Sequence, residues 1–435
     1  MTDKKQKIET EPYKGVRDFY PQDMAIENYI FNVWRKTAES FGYVEYNASI
    51  LEPTELYKSK TSEEIVNEQT YSFVDRGDRG VTLRPEMTPT AARMIAAKRR
   101  ETAFPLRWYS IANVFRYERP QHGRLREHFQ LNADFFGFEK ELADVEIISL
   151  AYTIMKNFGA SDDDFEIQIN SRKLTNAILD NFYELDEEKS KAIRQLIDRK
   201  EKINNFEEEA EKIVGRPFEF LGDDYKSEKW QEALSNPMIR EAKEELDKTI
   251  ETLKDRGIAN VKYSETLMRG FEYYTGVVFE IFDTNPKNNR ALFGGGRFDE
   301  LMENFDAEKV GAVGFGMGDV TIKDFLEIRG LIPDYKPTID LCICPLNNEL
   351  IENSEKLGKV FRENDVRVIV DISGKKVSEQ LKTANRQNIP YVIVVGDTEI
   401  NEQKFKVKEM KTGKETEFDF KDVKKAANLI LSNTK

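Results

Sequence analysis

Phe115-Arg116-Tyr117-Glu118-Arg119-Pro120-Gln121-His122-Gly123-Arg124-Leu125-Arg126-Glu127-His128-Phe129-Gln130 is the most chemically distinctive stretch of the chain. Apolar, strand-like runs flank it, Leu106–Val114 before and Phe129–Phe136 after, and Pro120 with Gly123 marks a turn between them. The pattern predicts two antiparallel strands joined by an arginine-rich tongue. Between Arg107 and His128 there are five arginines and two glutamates, in a chain whose net charge is −13. Guanidinium forks hold phosphate oxygens bidentately, so such a tongue suits a polyphosphate. A solvated surface hairpin is the competing reading of the loop taken alone.

The rest of the chain sets the frame for this hairpin. At 435 residues it is too long for one hydrophobic core, and two or three domains are expected. The acidic balance excludes a generally basic nucleic-acid coat and a polybasic membrane binder. No apolar run reaches the roughly 18–20 residues of a membrane span, and Met1-Thr2-Asp3-Lys4-Lys5 lacks the apolar stretch of a signal peptide, so a cytoplasmic location without membrane contact is expected. A linker is predicted at Arg329–Pro337, which holds two prolines and a glycine. The segment after it is nearly charge-balanced and reads as α/β, with strands at Asp340–Ile343, Val366–Val370 and Tyr391–Val395. Within the first part, about Arg172 to Arg256 is charged, glycine-poor and helical in spacing, between strand-like Phe165–Ile169 and Val277–Ile281. This reads as a helical insertion, about 172–258, in an α+β core of antiparallel sheet flanked by helices. The expected domains are 1–330 and 337–435.

Several chemistries drop out. His122 and His128, six apart in what reads as one loop, are the only histidines, and Cys342 and Cys344 the only cysteines. Neither a Cys/His zinc site nor a disulfide framework follows from them, and no dedicated metal ligands are identified. Nothing around the histidines suits a serine or cysteine protease triad. Chemistry must rest on arginines, carboxylates, tyrosines and glycines.

Three further segments stand out. Gly314-Phe315-Gly316-Met317-Gly318 strips one face of a strand of side chains, leaving a flat floor for a purine, or else simply allowing close backbone packing. It does not match the dinucleotide fingerprint, and Gly294-Gly295-Gly296-Arg297 does not match a phosphate loop. Arg269-Gly270-Phe271-Glu272-Tyr273-Tyr274-Thr275-Gly276 offers one fixed positive charge and paired phenols, provided a bend near Gly270 brings Arg269 and Tyr274 to one pocket. In Thr82-Leu83-Arg84-Pro85-Glu86-Met87-Thr88-Pro89, Thr88 reads as a helix N-cap with Pro89 at the first helical position, which leaves Glu86 unexplained.

In order and spacing these segments resemble the histidyl-tRNA synthetases, class II aminoacyl-tRNA synthetases, over essentially the whole chain. Lys14-Gly15-Val16-Arg17-Asp18 with Pro21, then Phe41-Gly42-Tyr43 and Glu52, is similar to the family's opening and dimer-forming first motif. The tongue resembles class II motif 2, and Gly311–Gly318 motif 3. Arg269–Tyr274 and Gly295-Gly296-Arg297-Phe298-Asp299 resemble the family's own two signatures, and the tail its anticodon-binding domain. The resemblance implies ATP-dependent activation of L-histidine to histidyl-adenylate, with Mg²⁺ on the ATP phosphates, and transfer to the 3′ end of tRNA(His) by a homodimer. It implies that Arg269 and Arg116 neutralise the reacting carboxylate and α-phosphate. Histidine would be held by Glu86, Met87, Thr88, Gln130, Asp134, Arg269, Tyr273 and Tyr274, and ATP by Arg116, Glu118, Arg124, His128 and Gly316.

The chain departs from the family pattern in places. Ser49 stands for the motif 1 proline, Asp134 for a frequent Glu, and His128 for a phenylalanine that stacks on adenine, a job neighbouring Phe129 could also take. Motif 3 usually ends Gly-X-Glu-Arg; here it reads Gly318-Asp319-Val320-Thr321, without the ATP-binding arginine. Arg124 is expected to carry the missing charge, with Lys323 as the alternative. Two rivals follow: the synthetase-like regulatory subunit of ATP phosphoribosyltransferase, which typically lacks the anticodon domain, and a non-catalytic RNA-binding or stress-sensing module.

Overall fold

The computed structural model describes residues 9–58, 69–121, 123–138, 140–200, 203–222, 224–268, 273–288, 290–305, 308–334 and 338–434. The chain divides after Pro333 into two compact units.

In the first unit the strands run β1 (Val44–Glu45), β2 (Leu51–Pro53), β3 (Tyr71–Val74), β4 (Gly80–Leu83), β5 (Leu106–Phe115), β6 (Glu127–Phe136), β7 (Phe165–Ser171), β8 (Val261–Tyr263), β9 (Val277–Asp283), β10 (Ala291–Arg297) and β11 (Ala312–Gly318). Eight of them form one sheet in the order β1-β5-β6-β11-β10-β9-β7-β8. The six central strands are antiparallel, while β1 on β5 and β8 on β7 pair in parallel. β2, β4 and β3 make a separate small antiparallel sheet.

β5 and β6 are the hairpin expected from the tongue, in register from Leu106–Phe136 to Phe115–Glu127. β6 explains how the sheet is oriented. Its odd positions, Leu131, Ala133 and Phe135, are buried in the main core. Its even positions, His128, Gln130, Asn132 and Asp134, are polar and share the opposite face, because successive side chains alternate. His128 therefore lies in a strand, not in the loop assigned to it from sequence. Phe129 points the other way, its ring 4.9 Å from that of Phe31, which packs against the core.

The core face is covered by two helices, Pro21–Ser40 and Glu141–Asn157. Pro21 opens the first at a position where its missing N–H costs nothing. Ile30, Trp34 and Ala38, four apart, form its buried stripe, and the Trp34 indole N–H donates to Met317 Sδ at 2.9 Å. Between β7 and β8 the described residues form five helices, Arg172–Asn181, Glu187–Asp198, Phe206–Val214, Glu228–Leu234 and Pro237–Asp255.

One polar cluster is buried beneath this layer. Arg17 Nη2 meets Asp319 Oδ2 at 2.5 Å, and its Nη1 lies 3.7 Å from Glu27 Oε1. Asp319 Oδ1 accepts the N–H of Phe129 at 3.0 Å. Burial and then the Asp319 charge push the Glu27 carboxyl up to about 8, against the lowering pull of Arg17 and Lys323. A carboxyl raised on folding gives its full stabilisation below the unfolded value, about 4.5, and loses it as pH rises through about 8. Glu27→Gln should therefore flatten the decline in melting temperature between about pH 5 and about pH 8.5. Parallel melting profiles for the two proteins would show that Glu27 does not titrate in this range.

The second unit is a five-stranded sheet in the order Val368–Val370, Leu341–Pro345, Tyr391–Val395, Lys404–Glu409, Glu415–Asp419. The first three strands are parallel, as expected from the alternating α/β pattern, and the last two are antiparallel. Cys342 and Cys344 are buried, unbridged neighbours on the Leu341–Pro345 strand. No helix among the described residues is long and apolar enough to cross a membrane.

Candidate active site

The polar face of β6 meets the glycines of β11 across the ladder: Asp134 pairs with Gly314, Asn132 with Gly316 and Gln130 with Gly318. A methyl group at Gly314 would stand 2.0 Å from Asp134 Oδ1, and one at Gly316 would stand 2.6 Å from Gln130 Nε2. Both glycines are thus required by side chains that lean over from the next strand. Of the two readings of this strand, close packing holds at Gly314 and Gly316, and a bare floor for a purine does not. Over Gly314 and Gly316 the space holds Asp134 and Gln130, and Gly316 lies beneath a histidine-binding candidate rather than beneath open space for ATP. Room remains at Gly318, where the nearest atoms to an added methyl are His128 Cδ2 at 3.6 Å and Thr321 Oγ1 at 3.9 Å. On β10, a methyl at Gly296 would come within 2.8 Å of the Tyr274 ring, so a third glycine makes room for a third site candidate.

Asp134 is buried, and its Oδ2 has no hydrogen-bond partner. Burial and then the charge of Glu86 raise its carboxyl to about 8. A buried acceptor left without a donor is costly and marks a place where a ligand donor fits. Gln130 is better settled, its Nε2 donating to Asn132 Oδ1 at 2.6 Å. Asn132 was not singled out from sequence, although the even-numbered alternation along β6 carried the signal.

Glu86 lies in the same buried pocket and accepts from the Tyr273 hydroxyl at 3.1 Å. The Tyr273 and Tyr274 rings are 4.9 Å apart, and both are buried. The turn carrying Glu86, Met87 and Thr88 is anchored by Arg84, whose Nε and Nη1 donate to the carbonyls of Asn113 and Ala48, each at 2.8 Å. Thr88 is the first helical residue rather than the N-cap, which is Met87, and no side-chain cap hydrogen bond forms. The proline after it favours a helix start but tolerates either of the first two positions. Thr88 is buried at the start of this helix.

Arg116 Nε donates to the carbonyl of Pro85 at 3.0 Å, which holds its guanidinium beside the Glu86 turn. The same guanidinium acts on His128, whose imidazole is lowered to about 3 by burial first and Arg116 second. His128 is therefore neutral at pH 7, a flat uncharged ring. Arg116 thus touches the residue before Glu86 and acts on His128. Glu118 has Arg124 Nη1 at 3.6 Å. Thr321, in the place of the absent motif 3 arginine, donates its hydroxyl to Leu292 O at 2.6 Å. Arg269, with residues 270–272, lies outside the described residues, as does His122. Among the described residues no group of three or more His, Cys, Asp or Glu side chains could hold a metal ion.

A pocket with two carboxylates and paired phenols, next to an arginine and a neutral imidazole, suits a cationic amino acid beside a nucleotide. Comparison with known proteins decides the kinship: residues 15–320 match the histidyl-tRNA synthetase family and residues 340–428 the anticodon binding domain family. This chain belongs to the histidyl-tRNA synthetase family. It is 38% identical over 430 residues to a histidine–tRNA ligase of Leptospira biflexa, covering 96% of this chain and 97% of that one. It is 37% identical over 430 residues to a histidine–tRNA ligase of Thermoplasma volcanium, covering 94% and 96%. Among solved structures, a histidyl-tRNA synthetase from Nostoc sp. PCC 7120 superposes with a TM-score of 0.76 at 22% identity, covering 97% of this chain and 100% of that one. The apo enzyme of S. aureus superposes at 0.73 with 24% identity, covering 96% and 99%. These superpositions establish the class II synthetase fold, with its separate anticodon-binding sheet.

Proposed function

We propose that this chain activates L-histidine with ATP, forming histidyl-adenylate, and transfers the histidyl group to the 3′ end of tRNA(His). The observation that carries this reading is the buried, unpartnered Oδ2 of Asp134, in the same pocket as Glu86. The unpartnered carboxyl oxygen there accepts an imidazole N–H, Tyr274 brackets the ring from the other side, and Glu86 with Thr88 takes the α-amino group. An apolar side chain of similar size would leave Asp134 desolvated and unpaired, which is the strongest basis for rejecting it. Arg116 and Arg269 flank the histidine carboxylate and the α-phosphate. They cancel charge where two anions must approach, so catalysis is by proximity and electrostatics, without a protein nucleophile. His128, flat and neutral, stacks on adenine near Gly318, and Glu118 accepts from the adenine amino group. Mg²⁺ would arrive on the outer phosphates of ATP and neutralise part of their charge.

The direct test is ATP–pyrophosphate exchange with each amino acid in turn. Exchange with histidine alone is expected. Exchange driven by another amino acid, or by none, would overturn the reading. The regulatory-subunit alternative is not favoured, because the match to histidine–tRNA ligases runs nearly end to end and includes the anticodon-binding domain.

A homodimer in the cytoplasm completes the proposal. Ile50, Leu51, Phe73 and Val74 are exposed on and beside the small sheet, and Val44 is exposed on the edge strand β1. A cluster of large apolar side chains next to a sheet edge is what a second copy would cover.

The two compact units predict a separable failure. A chain ending at Lys336 should retain most of its histidine-dependent pyrophosphate exchange, while charging of tRNA falls severely. The second unit is the less acidic place for RNA to dock. Measured on one preparation, equal loss of both activities, or loss of neither, would remove the second unit from tRNA binding.

A further inference from the structure

We propose that Arg290 is an additional ATP-binding residue, contacting the terminal phosphates beneath the arginine tongue and supplying the cation that Thr321 does not. The inference rests on the adenylate-forming reading above.

Four other cations of the first unit have contacts that fix where their charge lies. Arg17 is locked onto Asp319 beneath the sheet. Lys323 follows Asp319 by one helical turn and acts on Glu27, which places its charge on that same buried side. Arg126 donates its Nε to the carbonyl of Glu118 at 3.1 Å and lies 4.1 Å above the Tyr117 ring, so it braces the base of the tongue. Arg124 has its Nη1 3.6 Å from Glu118, at the end of the site assigned here to the base. The Thr321 hydroxyl is committed to backbone carbonyls of Leu292 and Gly318.

Arg290 enters the same region from the strand side. It is exposed and immediately precedes β10, whose first strand residues pair near the end of β11. That end of the sheet is also where the tongue leaves β5 and returns into β6. The tip of the tongue comes down on it. Gly123 adopts φ +75°, and a methyl group there would stand 3.7 Å from Arg290 Nη1 and 3.9 Å from Asp324 Oδ2. The hydrogen bond from Thr321 to Leu292 fastens the helix after motif 3 to a point two residues from Arg290. A guanidinium at 290 therefore reaches, from β10, the space that a long cationic side chain at 321 would reach from the helix. The Asp324 carboxylate lies near the same point and is a local counter-charge at the tongue tip. Bidentate contact with a phosphate is the interaction for which a guanidinium is suited.

Calorimetric binding of ATP and of AMP to the full-length native protein and to Arg290→Ala, together with exchange kinetics, decides the matter. The variant should bind ATP about 10- to 100-fold more weakly, with AMP affinity and the KM for histidine changed less than about twofold. Arg290→Lys should recover part of the loss. Because the side chain is exposed, the fold should survive either change, and an unaltered melting temperature checks this. Native-like ATP affinity in Arg290→Ala, or equal weakening of ATP and AMP, would overturn the proposal. Failure of the native protein to exchange with histidine would instead overturn the adenylation reading, while the ATP-to-AMP comparison would still decide Arg290. A native protein that does not bind ATP would overturn both.

Discussion

Arg269→Ala should lower kcat for histidine-dependent pyrophosphate exchange by about 10²-fold or more, with the fold intact and histidine binding much less affected. The reaction pushes a carboxylate against an α-phosphate, and the charge that most needs cancelling exists in full only at the transition state. Arg116 is held on the tongue side by the carbonyl of Pro85 and cannot serve both partners equally from there. A second guanidinium, on the opposite side, is the role given to Arg269. Because its effect is on the transition state, loss should appear in kcat and in kcat/KM together rather than in KM alone. The measurement is steady-state exchange at saturating histidine and ATP. A near-normal rate would take Arg269 out of the mechanism, and a change confined to KM would make it a ground-state binding residue.

Asp134→Ala should raise the KM for histidine by about 10²-fold or more while leaving ATP affinity within a few-fold of native. Removal of the carboxyl takes away the acceptor for the imidazole, and the ligand's buried N–H is then left without a partner. Gly314→Ala should reach the same result without touching any group that contacts substrate. Its methyl would stand 2.0 Å from Asp134 Oδ1 and 2.8 Å from the Ala133 carbonyl, so the Asp134 side chain must move. The pair distinguishes position from chemistry. If Gly314→Ala binds histidine normally, the placement of Asp134 is not what recognises the ring. If Asp134→Ala does, the carboxyl is not the acceptor.

How much of this was legible in the sequence depends on the range of the contacts involved. The β5–β6 hairpin was readable because alternation and turn residues are local signals. The Lys404–Glu409 and Glu415–Asp419 strands were missed because their charged residues do not resemble a buried strand, and they lie towards a sheet edge. The start of the helix at Thr88 was one residue off, since proline allows either choice. The glycines of β11 are legible as a stripped strand face, but local sequence does not decide between a bare floor and close packing. Their need arises from Asp134 and Gln130, about 180 residues earlier in the chain, through a strand register that no local pattern encodes. Arg17 and Asp319 are 302 residues apart in sequence, and nothing near either predicts their union.

The glycines of β11 also limit how this pocket can change. One strip of its floor is drawn by side chains of β6, and the neighbouring strip by their absence on β11. Shortening Gln130 would open volume against bare backbone, whereas shortening Asp134 would also remove the acceptor proposed for the imidazole. The reverse route is closed. Any side chain added at Gly314 or Gly316 displaces the recognising groups before it narrows the cavity. For this pocket, substitution on β11 therefore cannot select a smaller amino acid without losing the groups proposed to recognise histidine.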